Sequence, residues 1–297
     1  MWVAGALALG TGAPACSSAS TTPEVGELYE PCAEGTRVGS FGLWTSPSGD
    51  TGASVLNGAV WDHREVSDYQ RPVVSDGACT LMESDPGIPC TPACTGSDGC
   101  YPDGTCGPAS ITHSVGTVTV TGLASGRFSI EPYTGDYKAY SSDPSDLPYP
   151  LAAPGAAISL RASGGDYAPF VLAGRGVTPL PQPTSPLAVV RDQPLALEWN
   201  APSLPAPTRL LAHVYLGNTG ILDGGGVPGA GTVVCNFPDT GTGIVPAALI
   251  NRLIDQGVGA VPLINLQRAT VSSTQLAHGC VELTVLTPSH QSIVVTP

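Results

Sequence analysis

The triplet Asp239-Thr240-Gly241 is the first candidate for catalysis in this sequence. Aspartic proteases use such triplets in pairs, on two facing loops whose carboxylates share one proton. The alternative is a structural turn between a strand and a helix, in which Asp239 and Gly241 form the turn. Thr242 would then cap a helix that begins near Pro246. We favour the structural turn and predict no catalytic residue in the chain.

One other segment matches a functional motif but lacks the secondary structure that the motif requires, and the histidines match no motif. The segment 223–229 fits the G-x-G-x-x-G pattern of dinucleotide sites, which requires a strand before the loop and a helix after it. Here a strand pattern at 232–237 follows, so the segment is predicted to be a hairpin loop. The five histidines are scattered and complete no zinc or nucleophile motif: His63, His113, His213, His278 and His290.

Three aromatic residues of the first half of the chain could form a surface for sugar binding. Trp61 begins the polar cluster 61–65, and Trp44 and Tyr69 lie near it in the sequence. Flat aromatic rings can stack on the apolar face of a sugar ring. The simpler interpretation, which we favour, is that Trp44 and Trp61 fill the core of the first domain.

The nine cysteines favour disulfides over metal ligands. Five lie within 79–106, a segment rich in Gly, Pro, Asp, Ser and Thr that cannot form a hydrophobic core and needs cross-links to hold its shape. Because five is an odd number, Cys32 is the natural sixth member of this set, whose fifteen possible pairings stay open. Cys235 and Cys280 would then form a further bridge. Zinc sites usually contain tight C-x2-C pairs, which the sequence lacks. The predicted disulfide cysteines are Cys32, Cys79, Cys90, Cys94, Cys100, Cys106, Cys235 and Cys280.

Calcium is the one metal that the sequence suggests. Asp98 and Asp103 lie in loops bounded by cysteines, and oxygen-rich loops suit Ca²⁺. The twelve-residue calcium-loop pattern does not occur, so we predict no cofactor.

The N-terminal segment predicts export from the cytoplasm. An apolar run at 2–9 is too short to span a bilayer but suits a signal peptide, and small residues precede Cys16 as in a lipobox. We predict a signal peptide at 1–16, lipidation of Cys16 and a polar tether at 17–26. The even number of remaining cysteines agrees with an oxidising compartment. The expected location is the cell envelope, as an outer-membrane lipoprotein, or the extracellular space.

Alternating apolar residues and frequent turns predict an all-β protein. The first β-rich domain, 27–174, contains the insertion 79–106, and the Pro-rich stretch 175–186 is predicted to be a stiff linker to a second domain at 187–297. We predict two β-sandwich domains of the immunoglobulin or fibronectin III type, the second with one short helix. The predicted strands are 117–121, 128–130, 158–162, 170–172, 195–199, 209–216, 232–237, 262–267, 281–286 and 292–295, and the helix carries Leu249, Ile250, Leu253 and Ile254 on one side.

Two resemblances accompany this architecture. The run Leu195-x-Leu197-x-Trp199 looks like the second strand of a fibronectin type III module. Trp199 precedes both Cys235 and Cys280, unlike the tryptophan of an immunoglobulin domain, so that likeness extends to architecture only.

The second resemblance covers most of the chain from about Cys32. The order of 79–81, 90–94, 99–100, 104–106 and 115–123, followed by 234–241 and 280–283, resembles the uncharacterised cysteine-rich lipoproteins predicted in myxobacteria. The resemblance implies a cell-envelope location and a β-rich fold, and it transfers no functional residue.

Composition narrows the classes of function. The chain carries 24 acidic and 11 basic residues, a formal net charge of −13, which disfavours nucleic acid as a ligand. We expect a non-catalytic cell-envelope or secreted lipoprotein with a structural, adhesive or ligand-binding role, anchored to the membrane by lipid and in contact with a cell-surface glycan or protein. The alternatives are a glycan- or calcium-binding surface module and a secreted hydrolase without a recognisable motif.

Overall fold

The chain is mostly β-strand. The structure, a computed structural model, describes residues 28–33, 35–48, 51–62, 70–84, 93–95, 98–100, 106–108, 110–202, 208–217 and 231–296. Over these residues the all-β prediction is confirmed. The predictions that lie outside the described residues concern the signal peptide 1–16 with Cys16, the tether 17–26, His63, Tyr69, Cys90, Asp103 and the loop 223–229.

Eleven of the described strands form one large sheet. Its main path is, in spatial order, β10 (Tyr140–Ser141), β2 (Thr51–Trp61), β1 (Arg37–Ser48), β19 (Gly279–Thr296), β18 (Leu263–Leu276), β15 (Arg209–Tyr215), β16 (Gly231–Pro238), β4 (Cys79–Ser84) and β3 (Gln70–Asp76). Two further strands join it at the side, β7 (Thr112–His113) on β2 and β13 (Leu187–Val190) on β19. β1 runs parallel to β19, whereas β18 runs antiparallel to it.

Smaller elements cover one side of this sheet. A four-stranded sheet has the order β12 (Phe170–Arg175), β11 (Ala157–Ala162), β8 (Val118–Leu123) and β9 (Gly126–Ile130), which confirms the four strands predicted in this part of the chain. Two pairs complete the described strands: β14 (Leu195–Glu198) with β17 (Thr242–Val245), and β5 (Asp98–Cys100) with β6 (Cys106–Pro108).

The helix α1 (Ala247–Asp255) forms where the sequence predicts it. Its apolar residues recur at three- and four-residue spacing, and Leu249, Ile250 and Leu253 are buried against the sheet. Pro246 is the residue before the first helical turn and caps it without a side-chain hydrogen bond. The predicted cap at Thr242 is wrong, because Thr242 begins β17.

Two hydrophobic cores lie side by side on the same face of the large sheet. The first is enclosed by β1, β2, the four-stranded sheet and the first half of β19, whose Val281, Leu283 and Val285 are buried there. The second lies under α1 and the β14–β17 pair and takes in Leu81 of β4 together with residues of β15 and β16. The chain before the Pro-rich stretch therefore contributes β4 to the second core, and the chain after it contributes β19 to the first core. The predicted bounds 27–174 and 187–297 stay a prediction.

β19 differs from its sequence prediction. The strands predicted at 281–286 and 292–295 are one continuous strand of 18 residues. Pro288 lies within it, beyond Leu286, the last residue that pairs with β1. A missing backbone N–H is tolerated there because β19 has already lost its neighbour on that side.

The disulfides also differ from the predicted pairing. Cys32 bonds Cys280, and Cys235 bonds Cys79, so the predicted bridge between Cys235 and Cys280 is wrong. The register explains both pairs: Cys79 and Cys235 face each other on β4 and β16, and Cys280 lies beside the start of β1. Within the predicted insertion, Cys94 bonds Cys106.

Candidate functional site

The face of the large sheet opposite the two cores is open. On β15 the buried residues Leu210, Ala212 and Val214 alternate with residues that are only half-buried. These alternate residues point to the other face, because successive side chains of a strand point to opposite sides. On β1 the same alternation buries Phe41 and Leu43 and turns Trp44 outward.

A groove of about 860 Å³ runs across this open face, and we call it the open-face groove. Its floor contains Ser40, Gly42, Asn57, Gln267 and Thr284, from four neighbouring strands. Aromatic side chains stand around that floor: Tyr29, Trp44, Trp61, Tyr133 and Tyr137. The groove thus combines small and polar groups at its base with aromatic rings at its sides, the mixture expected of a site for an amphipathic ligand.

The Trp44 indole reaches over Gly42 on the floor of the groove because Gly42 has no side chain. A Cβ atom built on Gly42 would approach Trp44 Cδ1 to 2.9 Å, a distance that real Cβ atoms do not show, and it would approach the indole nitrogen even more closely. The indole therefore occupies the space above Gly42, and the residue is 45% exposed. The exposed part of the side chain is accessible to a ligand.

The two tryptophans mark different parts of the groove. Gly39 of β1 pairs with Val60 of β2, so Trp61 lies opposite Val38, six residues from Trp44. At about 3.3 Å per residue the two positions are about 20 Å apart along the strands. Tyr133 and Tyr137, which are 51% and 61% exposed, stand on the segment before β10 at the edge of the sheet.

Tyr29 is held at the opposite side by a network of contacts. Its hydroxyl accepts a hydrogen bond from Asn236 Nδ2 at 3.0 Å, and the Arg209 guanidinium lies over its ring, 5.6 Å from the centroid. Arg209 also donates from Nε to Asn236 Oδ1 at 2.7 Å. Burial raises the pKa of Tyr29, and the Glu282 carboxylate adds to this rise.

The only carboxylate among the described residues that line the groove is already bonded. Glu282 is 8% exposed; its Oε1 accepts the backbone N–H of Cys32 at 2.6 Å, and its Oε2 lies 3.5 Å from Arg37 Nη1. The same stretch of chain is tied to β19 by the Cys32–Cys280 disulfide. The carboxylate therefore fixes the wall of the groove in place.

His213 is the imidazole of the groove and is uncharged at neutral pH. Burial lowers the pKa of His213 to about 4. Its ring stacks on Tyr215, with centroids 6.2 Å apart and planes inclined by 17°, and burial raises the pKa of that tyrosine to about 12.

Comparison with known proteins gives no match. No protein-family model, curated protein or solved structure matches it. The chemistry of the groove itself is therefore the basis for assigning a function.

The prediction that both tryptophans fill the core is wrong. Trp44 is exposed, Trp61 is half-buried, and neither belongs to the two cores. The groove brings these two predicted ligand-binding residues together, whereas Tyr69 lies outside the described residues.

The Asp239 carboxylate is a buried hydrogen-bond acceptor. Arg268 Nε donates to its Oδ2 at 2.6 Å and Arg268 Nη2 to its Oδ1 at 3.1 Å, with the two side chains 1% and 2% exposed. Trp199 Nε1 and Thr208 Oγ1 donate to the same carboxylate at 2.8 and 2.7 Å. Asp239 does lie in a turn, but the turn joins β16 to β17 and not a strand to a helix.

A second copy of the triplet, Asp50-Thr51-Gly52, escaped the sequence interpretation. Thr51 and Gly52 are the first residues of β2, and Asp50 lies outside the described residues. The described groups bonded to the Asp239 carboxylate are the three donors given above.

A separate cluster surrounds His113. Its Nδ1 lies 3.5 Å from Asp166 Oδ2 and its Nε2 lies 3.9 Å from Asp62 Oδ2. Both carboxylates also accept backbone N–H groups, from Ile111 and Ser114. Among the described residues no group of three or more His, Cys, Asp or Glu side chains could hold a metal ion. The described residues likewise contain no helix that is long and apolar enough to cross a membrane.

Sequence reasoning missed several residues that line the groove. Tyr133 and Tyr137 flank the turn cluster 134–136, and aromatic residues beside such polar turns are a signal for exposed rings. His213 shares its strand face with Leu211, opposite the uniformly apolar positions of β15. Tyr29 gives no such local signal, since its position follows from the disulfide and from distant partners.

Proposed function

We propose that this protein is a non-catalytic carbohydrate-binding protein whose ligand lies in the open-face groove. The observation that carries the proposal is the Trp44 indole, which fills the space above Gly42 on the groove floor while the residue stays 45% exposed. An aromatic ring held in place by the sheet offers a rigid apolar surface, and it loses little conformational entropy when a ligand packs on it.

The polar groups beside this surface favour a sugar over a purely apolar ligand. Asn57 accepts a hydrogen bond from Ser141 Oγ at 2.7 Å through Oδ1, which fixes the amide and leaves its NH₂ group to donate toward the groove. Gln267 and Thr284 add further donors and acceptors on the floor. Sugars present apolar C–H faces and hydroxyl edges, and this groove provides partners for both.

The same lining favours binding without hydrolysis. Most glycoside hydrolases use two carboxyl groups about 5–10 Å apart, one as acid and the other as base or nucleophile. Among the described lining residues Glu282 is the one carboxylate, and it is bonded to Arg37 and to the backbone of Cys32. We therefore prefer a binding and adhesive role to that of a secreted hydrolase.

The disulfides support an oxidising compartment for this role. Three disulfides join six cysteines of the described chain, and such bonds persist in envelope or extracellular proteins and are rare in the cytosol. Lipidation of Cys16 and membrane anchoring stay predictions, as does binding to a cell surface.

Direct binding to polysaccharides tests the proposal. Intrinsic tryptophan fluorescence and calorimetry would be measured against a panel of soluble glucans, xylans, mannans and chitin oligosaccharides. Trp44→Ala should lower the affinity of the bound polymer at least about tenfold, because truncating an aromatic anchor usually costs more than about 1.4 kcal/mol.

Ile244→Ala is the matched control. Ile244 is 62% exposed and does not line the groove, so its truncation removes a comparable exposed apolar side chain without altering the site. Its affinity should equal that of the unmodified protein. Equal losses in both variants, or no loss in Trp44→Ala, would contradict the proposal.

A further inference from the structure

We infer, resting on the carbohydrate-binding proposal, that the open-face groove takes an uncharged, hydroxyl-rich glycan chain and excludes polyanionic glycans such as uronates or sulfated polymers. Three features of the groove select this class of ligand: its balanced charges, its free hydrogen-bonding groups and its length.

The charges that line the groove cancel. Arg37 and Glu282 form an ion pair at 3.5 Å, and they are the only permanently charged side chains among its described lining residues. Binding a carboxylate or sulfate usually requires a guanidinium or ammonium group directed at it. Here the guanidinium of Arg37 is already opposite a carboxylate.

Charged residues of both signs neighbour the groove residues in the sequence. Asp136 and Lys138 stand on either side of Tyr137 in the chain, and Glu30 follows Tyr29. The Arg209 guanidinium, which lies over the Tyr29 ring, is hydrogen-bonded to Asn236. The whole chain carries a formal net charge of −13, which repels polyanions.

Three titratable groups of the groove, His213, Tyr29 and Tyr140, are uncharged at neutral pH. Burial keeps His213 unprotonated, since its pKa lies at about 4. Burial raises the pKa of Tyr29 and of Tyr140, which keeps both phenols protonated at neutral pH. The groove accordingly keeps one charge state across the physiological range.

The uncharged polar groups of the floor are available to hydroxyls. The side chains of Ser40, Gln267 and Thr284, and the indole N–H of Trp44, make no hydrogen bond to another described residue. The groove extends across six adjacent strands, from β10 to β15. Because neighbouring strands are about 4.8 Å apart, the two outer strands are separated by about 24 Å. Several sugar rings are needed to span this distance. The ligand is therefore a chain and not a single sugar.

Polymers that share a backbone and differ in charge give the sharpest test. Hydroxyethylcellulose and carboxymethylcellulose form such a pair, since the first is neutral and the second carries carboxylates. Affinity would be measured at about 50 mM and about 500 mM salt, conditions between which the Debye length falls severalfold. The neutral member of the bound pair should bind at least about tenfold more tightly than its charged form, with affinity unchanged within about twofold by salt.

Two variants at one position complete the experiment. Gln267→Lys adds a positive charge to the floor and should admit the anionic polymer with an affinity that falls as salt rises, whereas the neutral Gln267→Met should not. Preferential, salt-sensitive binding of a charged polymer by the unmodified protein, lost in Trp44→Ala, would overturn this inference and leave the proposed function standing. Binding of no polymer in the panel, or binding that Trp44→Ala does not weaken, would overturn both.

Discussion

Replacing Asp239 by asparagine should destabilise the protein strongly without touching the open-face groove. The Arg268 guanidinium is 1% exposed and reaches from β18 to the Asp239 carboxylate, to the Thr178 carbonyl at 2.9 Å and to the Asn200 carbonyl. It therefore joins the Pro-rich segment, the end of β14 and the β16–β17 turn. Removing the negative charge leaves a buried guanidinium without a counter-ion.

The expected loss follows from the burial of this pair. Breaking a buried ion pair by removing one partner costs about 3–5 kcal/mol, since the remaining charge is desolvated and uncompensated. In Asp239→Asn the amide keeps one accepting oxygen, but its NH₂ group takes the place of the other and faces an N–H of Arg268, so the loss combines the missing charge with a lost hydrogen bond. A total stability of about 5–15 kcal/mol makes this a large fraction.

Urea unfolding followed by tryptophan fluorescence measures the effect, because Trp199 donates to Asp239 and responds to the change. Asp255→Asn is the matched control: it breaks an Arg–Asp pair at 2.9 Å whose side chains are 40% and 64% exposed, and such surface pairs contribute about 0–1 kcal/mol. A loss in Asp239→Asn below about 1 kcal/mol, or equal to that of Asp255→Asn, would refute the assigned role of the buried pair.

Three further predictions follow from the geometry. Gly42→Ala should displace the Trp44 indole and lower glycan affinity about tenfold, measured by calorimetry, while an unchanged affinity would show that the position of the ring above Gly42 is irrelevant. Replacing Cys32 and Cys280 together by serine should lower the free energy of unfolding by about 3–5 kcal/mol, and urea midpoints equal to those of the unmodified protein would contradict this. The pKa of His213 is about 4 in the folded protein and 6.5 in the unfolded chain. Between pH 6.5 and pH 4 the imidazole is therefore protonated in the unfolded chain but not in the folded protein. Stability should therefore fall as pH drops from about 6.5 to 4, by about 1–2 kcal/mol after allowance for partial exposure, and His213→Phe should remove that slope.

The sequence predicted the elements that arise from local patterns. The strands at 117–121 and 158–162 alternate strictly and appear as β8 and β11, and the apolar stripe of α1 is buried as predicted. It did not reveal that β4 pairs with β16 or that β19 serves both cores. Strand partners distant along the chain are chosen by tertiary packing, for which the local residue pattern carries no signal.

The candidate site was partly within reach of the sequence. Trp44 shares its strand face with Ser40 and Gly42, whereas Phe41 and Leu43 occupy the other, so parity alone favoured an exposed tryptophan. The preference for burying large aromatic residues outweighed that signal. The pairing of cysteines could not be predicted, because Cys32 and Cys280 are 248 residues apart and meet only once β1 lies beside β19.

The position of the Cys32–Cys280 disulfide determines which residues would carry a pulling force. A pulling force applied between the chain preceding Cys32 and Thr296 passes through the two sulfur atoms to Cys280 and then along β19. The residues from 33 to 279 lie within a covalent loop and do not carry the load. The residues of β19 that do carry it are already extended and are hydrogen-bonded to β18, β1 and β13, so the loaded segment has little further length to release. The fold is therefore a nearly inextensible link that keeps the open-face groove intact under strain.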